Sequence, residues 1–150
     1  MEPRIKTEAD PDVNAGIQLL LKSIYNAGVS RKTLDLVHLR ASQINGCSAC
    51  VDGGIQSSHK AGVPDEQLHT VVAWREAPYF DDAERAALAL SEAATRLADH
   101  PDPVPDDIWD AAAKHYSEKE LGAIVMAIAI ANFFNRINRT IRVPAGVRWD

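Results

Sequence analysis

Cys47 and Cys50 are the two cysteines of this chain, and they follow Gly46 directly at the start of a predicted helix. The first turn of a helix has unpaired N–H groups and carries the positive end of the helix dipole, and both stabilise a thiolate. Positions i and i+3 share a helix face, so the two sulfurs can approach each other. One thiolate can then attack an oxidant while the other closes a disulfide. A single Cys-x-x-Cys leaves two other readings open: a pair of small buried hydrophobes, or zinc ligands. A structural zinc usually takes four Cys or His ligands, and no second ligand pair stands at the usual spacing. Neither a metal nor a cofactor is therefore expected.

Other polar residues recur at helical spacing. Asp35, His38 and Ser42 stand at i, i+3 and i+7. They contain the residue types of a hydrolase triad, but a triad also needs convergent geometry and an oxyanion hole. The expected role of this stripe is a solvated helix face, on which His38 could still tune Asp35. Asn132, Asn135 and Asn138 recur every third residue in an apolar segment. Buried amides need partners, so these are expected to cap neighbouring helices or to face a subunit interface. Arg40 and Arg75 are expected to pair with carboxylates that the sequence does not identify.

The elements that must position these residues read as helices throughout. Asp10-Pro11-Asp12 starts a helix to about Ala27, with Gly28 as its stop. Val13, Ile17, Leu20, Leu21 and Ile24 form its apolar stripe. Ser30 caps a second helix that ends at Asn45-Gly46, with Leu34, Val37, Ala41 and Ile44 facing inward. The cysteines open a third, ending at Ala61-Gly62. Pro64 starts a fourth, through Trp74, and Asp81-Asp82 starts a fifth. Three prolines between His100 and Pro105 make a loop. A sixth helix runs from about Asp106 to His115. Ser117 and Glu120 form a capping box for a seventh, Glu118 to about Asn138, and the tail after Arg139 reads as irregular. Sustained period-two alternation is missing, so no sheet of consequence is expected. The fold class is all-α: six or seven helices in a single domain over residues 1–150.

Composition narrows the function classes. The 150 residues are 46% hydrophobic and 25% charged, values of a globular chain with a core. A net charge of −5 with dispersed Lys and Arg argues against nucleic acid as a partner. The N-terminus has no apolar stretch after its charges, so no secretory signal is read there. The most apolar run, Leu121 to Phe134, is shorter than the ~18 residues of a membrane span and reads as a buried helix. A cytoplasmic location is the default expectation. In that compartment a close cysteine pair suits catalysis or metal binding better than structural stapling.

The stretch from Leu36 to Cys50, LVHLRASQINGCSAC, closely resembles the core signature of alkylhydroperoxidase D-like proteins of the carboxymuconolactone decarboxylase family. Val72-Ala73-Trp74-Arg75-Glu76 followed by Pro78, the stretch Glu84 to Leu88, and Asn135 to Asn138 fit the same pattern, and the resemblance runs from about residue 13 to 142. It implies thiol-dependent reduction of a hydroperoxide by a thiol or dithiol donor, in a symmetric homo-oligomer, commonly a trimer or hexamer. It assigns peroxide attack to Cys50, resolution to Cys47, and an acid role to Asp35, where glutamate is usual.

The family's proton-relay histidine usually stands four residues after the second cysteine, where this chain has Gly54. A water in the space beside the glycine could serve instead, and Gly54→His is expected to gain rate unless a neighbour occupies that space. His59 lies nine positions after Cys50, about half a helical turn out of phase, and should point away. Two other functions remain: a carboxymuconolactone decarboxylase-like enzyme, whose members typically do not depend on a cysteine pair, and a redox sensor with weak turnover.

Overall fold

The computed structural model describes residues 2–5 and 9–146, excepting the side chain of Asp99. Among these residues it has seven α-helices and no strand. They are α1 (Pro11–Tyr25), α2 (Arg31–Ile44), α3 (Ser48–Lys60), α4 (Asp65–Thr70), α5 (Asp82–Thr95), α6 (Asp106–Ala113) and α7 (Glu118–Ile141). The sequence punctuates them as expected. Asp10, Ser30, Asp81 and Ser117 each accept a backbone N–H at a helix start, and the last two form full capping boxes.

Two boundaries differ from expectation. The fourth helix ends at Thr70 and tightens into a 3-10 turn, Val71–Ala73, so Trp74 lies outside it. Helix α7 runs on to Ile141 instead of stopping near Asn138. Its end is an αL cap at Arg142 (φ 61°), and the Ile141 carbonyl accepts the Arg4 N–H at 2.8 Å. Pro144 is the first residue in that stretch that forbids a helix, so Asn138 was too early an end point.

Helix α2 is the axis of the molecule and packs on α3, α5 and α7. One core lies on its Leu34 and Val37 side, with Ile24, Leu90, Ile124 and Ile128. A second lies on its Leu36 and Leu39 side, with Val63, Leu68, Val71, Trp74, Phe80 and Leu88. A helix between two cores has little room for a wet face. Asp35 and Ser42 are accordingly buried and His38 is half-buried, against the expectation of a solvated stripe. On α1 the stripe holds only in part: Ile24 is buried, but Val13 is exposed.

Helix α7 is long and apolar enough, by length and composition, to cross a membrane. Half of its most apolar stretch is buried in the fold, as befits the core helix against which α1, α2 and α5 pack.

Candidate active site

The turn between α2 and α3 sets the cysteines in place. Gly46 has φ +64°, in the left-handed region, and a Cβ there would lie 2.6 Å from Arg139 Nη1. That guanidinium reaches across from α7 to donate to the carbonyls of Asn45 at 2.7 Å and Gly46 at 3.1 Å. Both the backbone conformation and the close approach require glycine. The Cys47 N–H donates to the Ser42 carbonyl at 3.0 Å, and the chain then enters α3 with Cys47 as its N-cap.

Cys47 and Cys50 are joined as a disulfide, with their Cα atoms 5.3 Å apart. Each sulfur has a donor. The Cys50 N–H points at Cys47 Sγ at 3.3 Å, and the side-chain amide of Asn138 at Cys50 Sγ at 3.4 Å. Both residues are buried, Cys47 at 1% exposure and Cys50 at 5%.

The Asn138 amide belongs to a ladder. Asn45 donates to the side-chain oxygens of Asn132 and Asn135, at 2.9 and 2.8 Å, and Asn135 donates to Ser42 Oγ at 3.0 Å. Asn132 also donates back to the Ile128 carbonyl at 2.9 Å. Two rungs therefore lock α7 to the end of α2, as the three-residue recurrence suggested. The third rung, Asn138, is aimed at the Cys50 sulfur. Its spacing was visible in the sequence; its target needed the packing of α7 on α3.

A cavity of about 170 Å³ opens between four helices. Its walls are apolar: Leu21 and Ile24 of α1, Leu34 of α2, and Ala127, Ile130 and Phe134 of α7. Its polar edge combines Tyr25, Asp35, His38 and Ser57 with the backbone of Gly53 and Gly54. Asp35 does not meet either sulfur. Arg31 Nε and Ser57 Oγ donate to its two oxygens, at 3.0 and 3.1 Å. The Arg31 guanidinium also lies 3.8 Å over the Tyr25 ring. Burial raises the Tyr25 pKa; Arg31 opposes that and Asp35 adds to it.

The space beside Gly54 is filled. A Cβ on that residue would lie 3.3 Å from Cδ2 and 3.8 Å from Nε2 of His38. An imidazole from α2 thus occupies the place where a water was expected. Burial holds the His38 pKa below its ordinary value. The Asp35 carboxylate and the polar backbone at Cys50 pull it back up, and Arg31 pushes it further down. Sequence reasoning assigned His38 to solvent; what it missed is that α2 faces α3 along this line. His59 points elsewhere, exposed and hydrogen-bonded to Asp65 Oδ1 at 3.0 Å, as its helical phase required. Among the described residues no cluster of His, Cys, Asp and Glu could hold a metal ion.

The chain belongs to the carboxymuconolactone decarboxylase family, which it matches over residues 11–93. It is 32% identical over 112 residues to the uncharacterized protein YdfG of Bacillus subtilis, covering 75% of each chain. A shorter stretch of 55 residues, 37% of this chain and 31% of the relative, is 40% identical to the alkyl hydroperoxide reductase AhpD of a Methylobacterium species. The fold matches the crystal structure of a protein of unknown function from Agrobacterium tumefaciens, suggested to be the antioxidant defence protein AhpD. The TM-score is 0.88 and the identity 31%, over 98% of this chain and 100% of that one.

Proposed function

We propose that this protein is a thiol-dependent peroxidase that reduces organic hydroperoxides. The observation that carries the reading is the Cys47–Cys50 pair itself, joined at the first turn of α3 with a hydrogen-bond donor on each sulfur. A sulfur that accepts hydrogen bonds is stabilised as thiolate, which is the nucleophilic form.

In the reduced protein the Cys50 thiolate attacks one peroxide oxygen. An S–O bond forms, the O–O bond breaks, and the alkoxide leaves and takes a proton to become the alcohol. The Cys47 thiolate then attacks the Cys50 sulfenic acid, the disulfide forms, and the oxygen departs as water. One hydroperoxide and two thiols become one alcohol, one water and one disulfide. A small thiol or dithiol donor reduces the disulfide by exchange. The Cys50 N–H makes Cys47 the better leaving thiolate in that step.

Cys50 takes the attacking role because Asn138 serves its sulfur and its helix borders the cavity. Asp35, held by Arg31 and Ser57, supplies negative charge at the polar edge without touching sulfur. The apolar walls suit an alkyl or aryl substituent better than hydrogen peroxide. The chemistry needs no cofactor or metal and fits a cytoplasm that keeps thiols reduced. A redox-sensing role with slow turnover is the second reading, favoured by the burial of both sulfurs. Consumption of an organic hydroperoxide with dithiothreitol as donor tests the proposal. The wild type should turn over and Cys50→Ser should not; equal rates would end it.

A further inference from the structure

Position 54 is a glycine with an imidazole against it. His38 comes from α2, and its ring lies where a side chain on Gly54 would have to go, 3.3 Å from the Cβ position. Gly54 stands one helical turn after Cys50 on α3, and the same ring lines the 170 Å³ cavity beside Gly53 and Gly54. A group that touches the helix turn of the attacking cysteine, and also the space where a substrate would sit, can exchange protons with both. Resting on the peroxidase reading, we propose that His38 is the acid–base residue for Cys50, delivered across the helix interface onto Gly54, and that Asp35 orients its charge from one helical turn away.

The proton balance is closed. The imidazole takes the Cys50 thiol proton, and the thiolate attacks the peroxide. The imidazolium then protonates the departing alkoxide and returns neutral. A ring that is largely neutral at pH 7 is the form that can accept the first proton. The groups facing His38 are Asp35 and Arg31 on its own helix, Tyr25 on α1 and Cys50 on α3. Helix α7 presents Ala127, Ile130 and Phe134 to the cavity, none of which titrates.

Two readouts separate this inference from the peroxidase reading. The first is the pH profile of Cys50 alkylation by iodoacetamide in reduced Cys47→Ser protein, with and without His38→Gln. The second is the oxidation rate of the reduced full chain by cumene hydroperoxide, with and without His38→Gln. General acid–base assistance is worth about 10²–10⁴-fold, so the variant should lose at least about 100-fold in oxidation rate. Its alkylation profile should move to higher pH. A shifted alkylation profile in a protein that ignores hydroperoxide would support the role of His38 and refute the peroxidase reading. Equal peroxide rates and superimposed alkylation profiles would overturn the inference and leave the peroxidase reading standing. The unmodified protein gives a check that survives a folding defect in the variant. The His38 imidazole titration, followed by NMR, should rise when the disulfide is reduced and a thiolate forms beside it. The same titration in both redox states would also overturn the inference.

Discussion

Gly46 and Gly54 are glycines for different physical reasons. At Gly46 the backbone demands it, with φ +64° and the Arg139 guanidinium 2.6 Å from the Cβ position. At Gly54 the backbone is ordinary helix and the neighbour decides, because the His38 ring lies 3.3 Å from the Cβ position. A methyl at 54 could be met by a small ring shift; an imidazole could not. Gly54→His should therefore lower the melting temperature and slow peroxide-driven oxidation, even though replacing a helical glycine alone favours the helix by up to ~1 kcal/mol. Melting curves beside single-turnover oxidation test this, and a faster variant of equal stability would show that the space was free. The Cys47–Cys50 disulfide was legible in the sequence because it depends on local spacing. His38 was not, since a residue's meaning across a helix interface depends on which faces meet. The stripe of Asp35, His38 and Ser42 looked like a surface only while α2 lacked its neighbours.

Helix boundaries were legible where a side chain terminates a helix, as at Asp10, Ser30, Asp81 and Ser117, and less so where tertiary contacts do. The partner of Arg40 and Arg75 belongs to the second kind, because it comes from another helix. It is Glu92 of α5, whose Oε1 accepts from Arg40 Nε at 2.7 Å and from Trp74 Nε1 at 3.0 Å, and whose Oε2 accepts from Arg75. This carboxylate ties α2 and the Trp74 turn to α5. Burial raises its pKa, but the bonds from Arg75, Trp74 and Arg40 outweigh that, and the net pKa lies below the ordinary value of 4.5. A depressed folded pKa gives stability that is present above the unfolded pKa and lost as pH falls through the folded one. Glu92→Gln leaves Arg40 buried beside a neutral amide, and should cost about 3 kcal/mol at neutral pH. Denaturant unfolding at stepped pH should show the gap between the two proteins closing in acid. A gap that stays constant down to pH 3 would mean that Glu92 acts through packing and not charge.

At the scale of the molecule, the core is complete but α7 is not fully covered. Val125, Met126, Phe133 and Ile137 are exposed along one side of it. Apolar positions at this spacing suit a helix-on-helix contact with another copy. The family resemblance led to the same expectation, and the protein should scatter light as a trimer or larger at micromolar concentration. A mass near 16.4 kDa would refute that. Assembly was less legible than the fold, because an apolar helix reads the same in sequence whether its outer side meets a core or a partner. The catalytic account depends most directly on one stoichiometry. Fully reduced protein mixed with one equivalent of cumene hydroperoxide, with no donor present, should lose two thiols per chain and form one equivalent of cumyl alcohol. The product should be an intramolecular Cys47–Cys50 disulfide, and Cys50→Ser should form no alcohol above the uncatalysed background. Hydroperoxide left intact beside two free thiols, or alcohol formed equally well by Cys50→Ser, would contradict it.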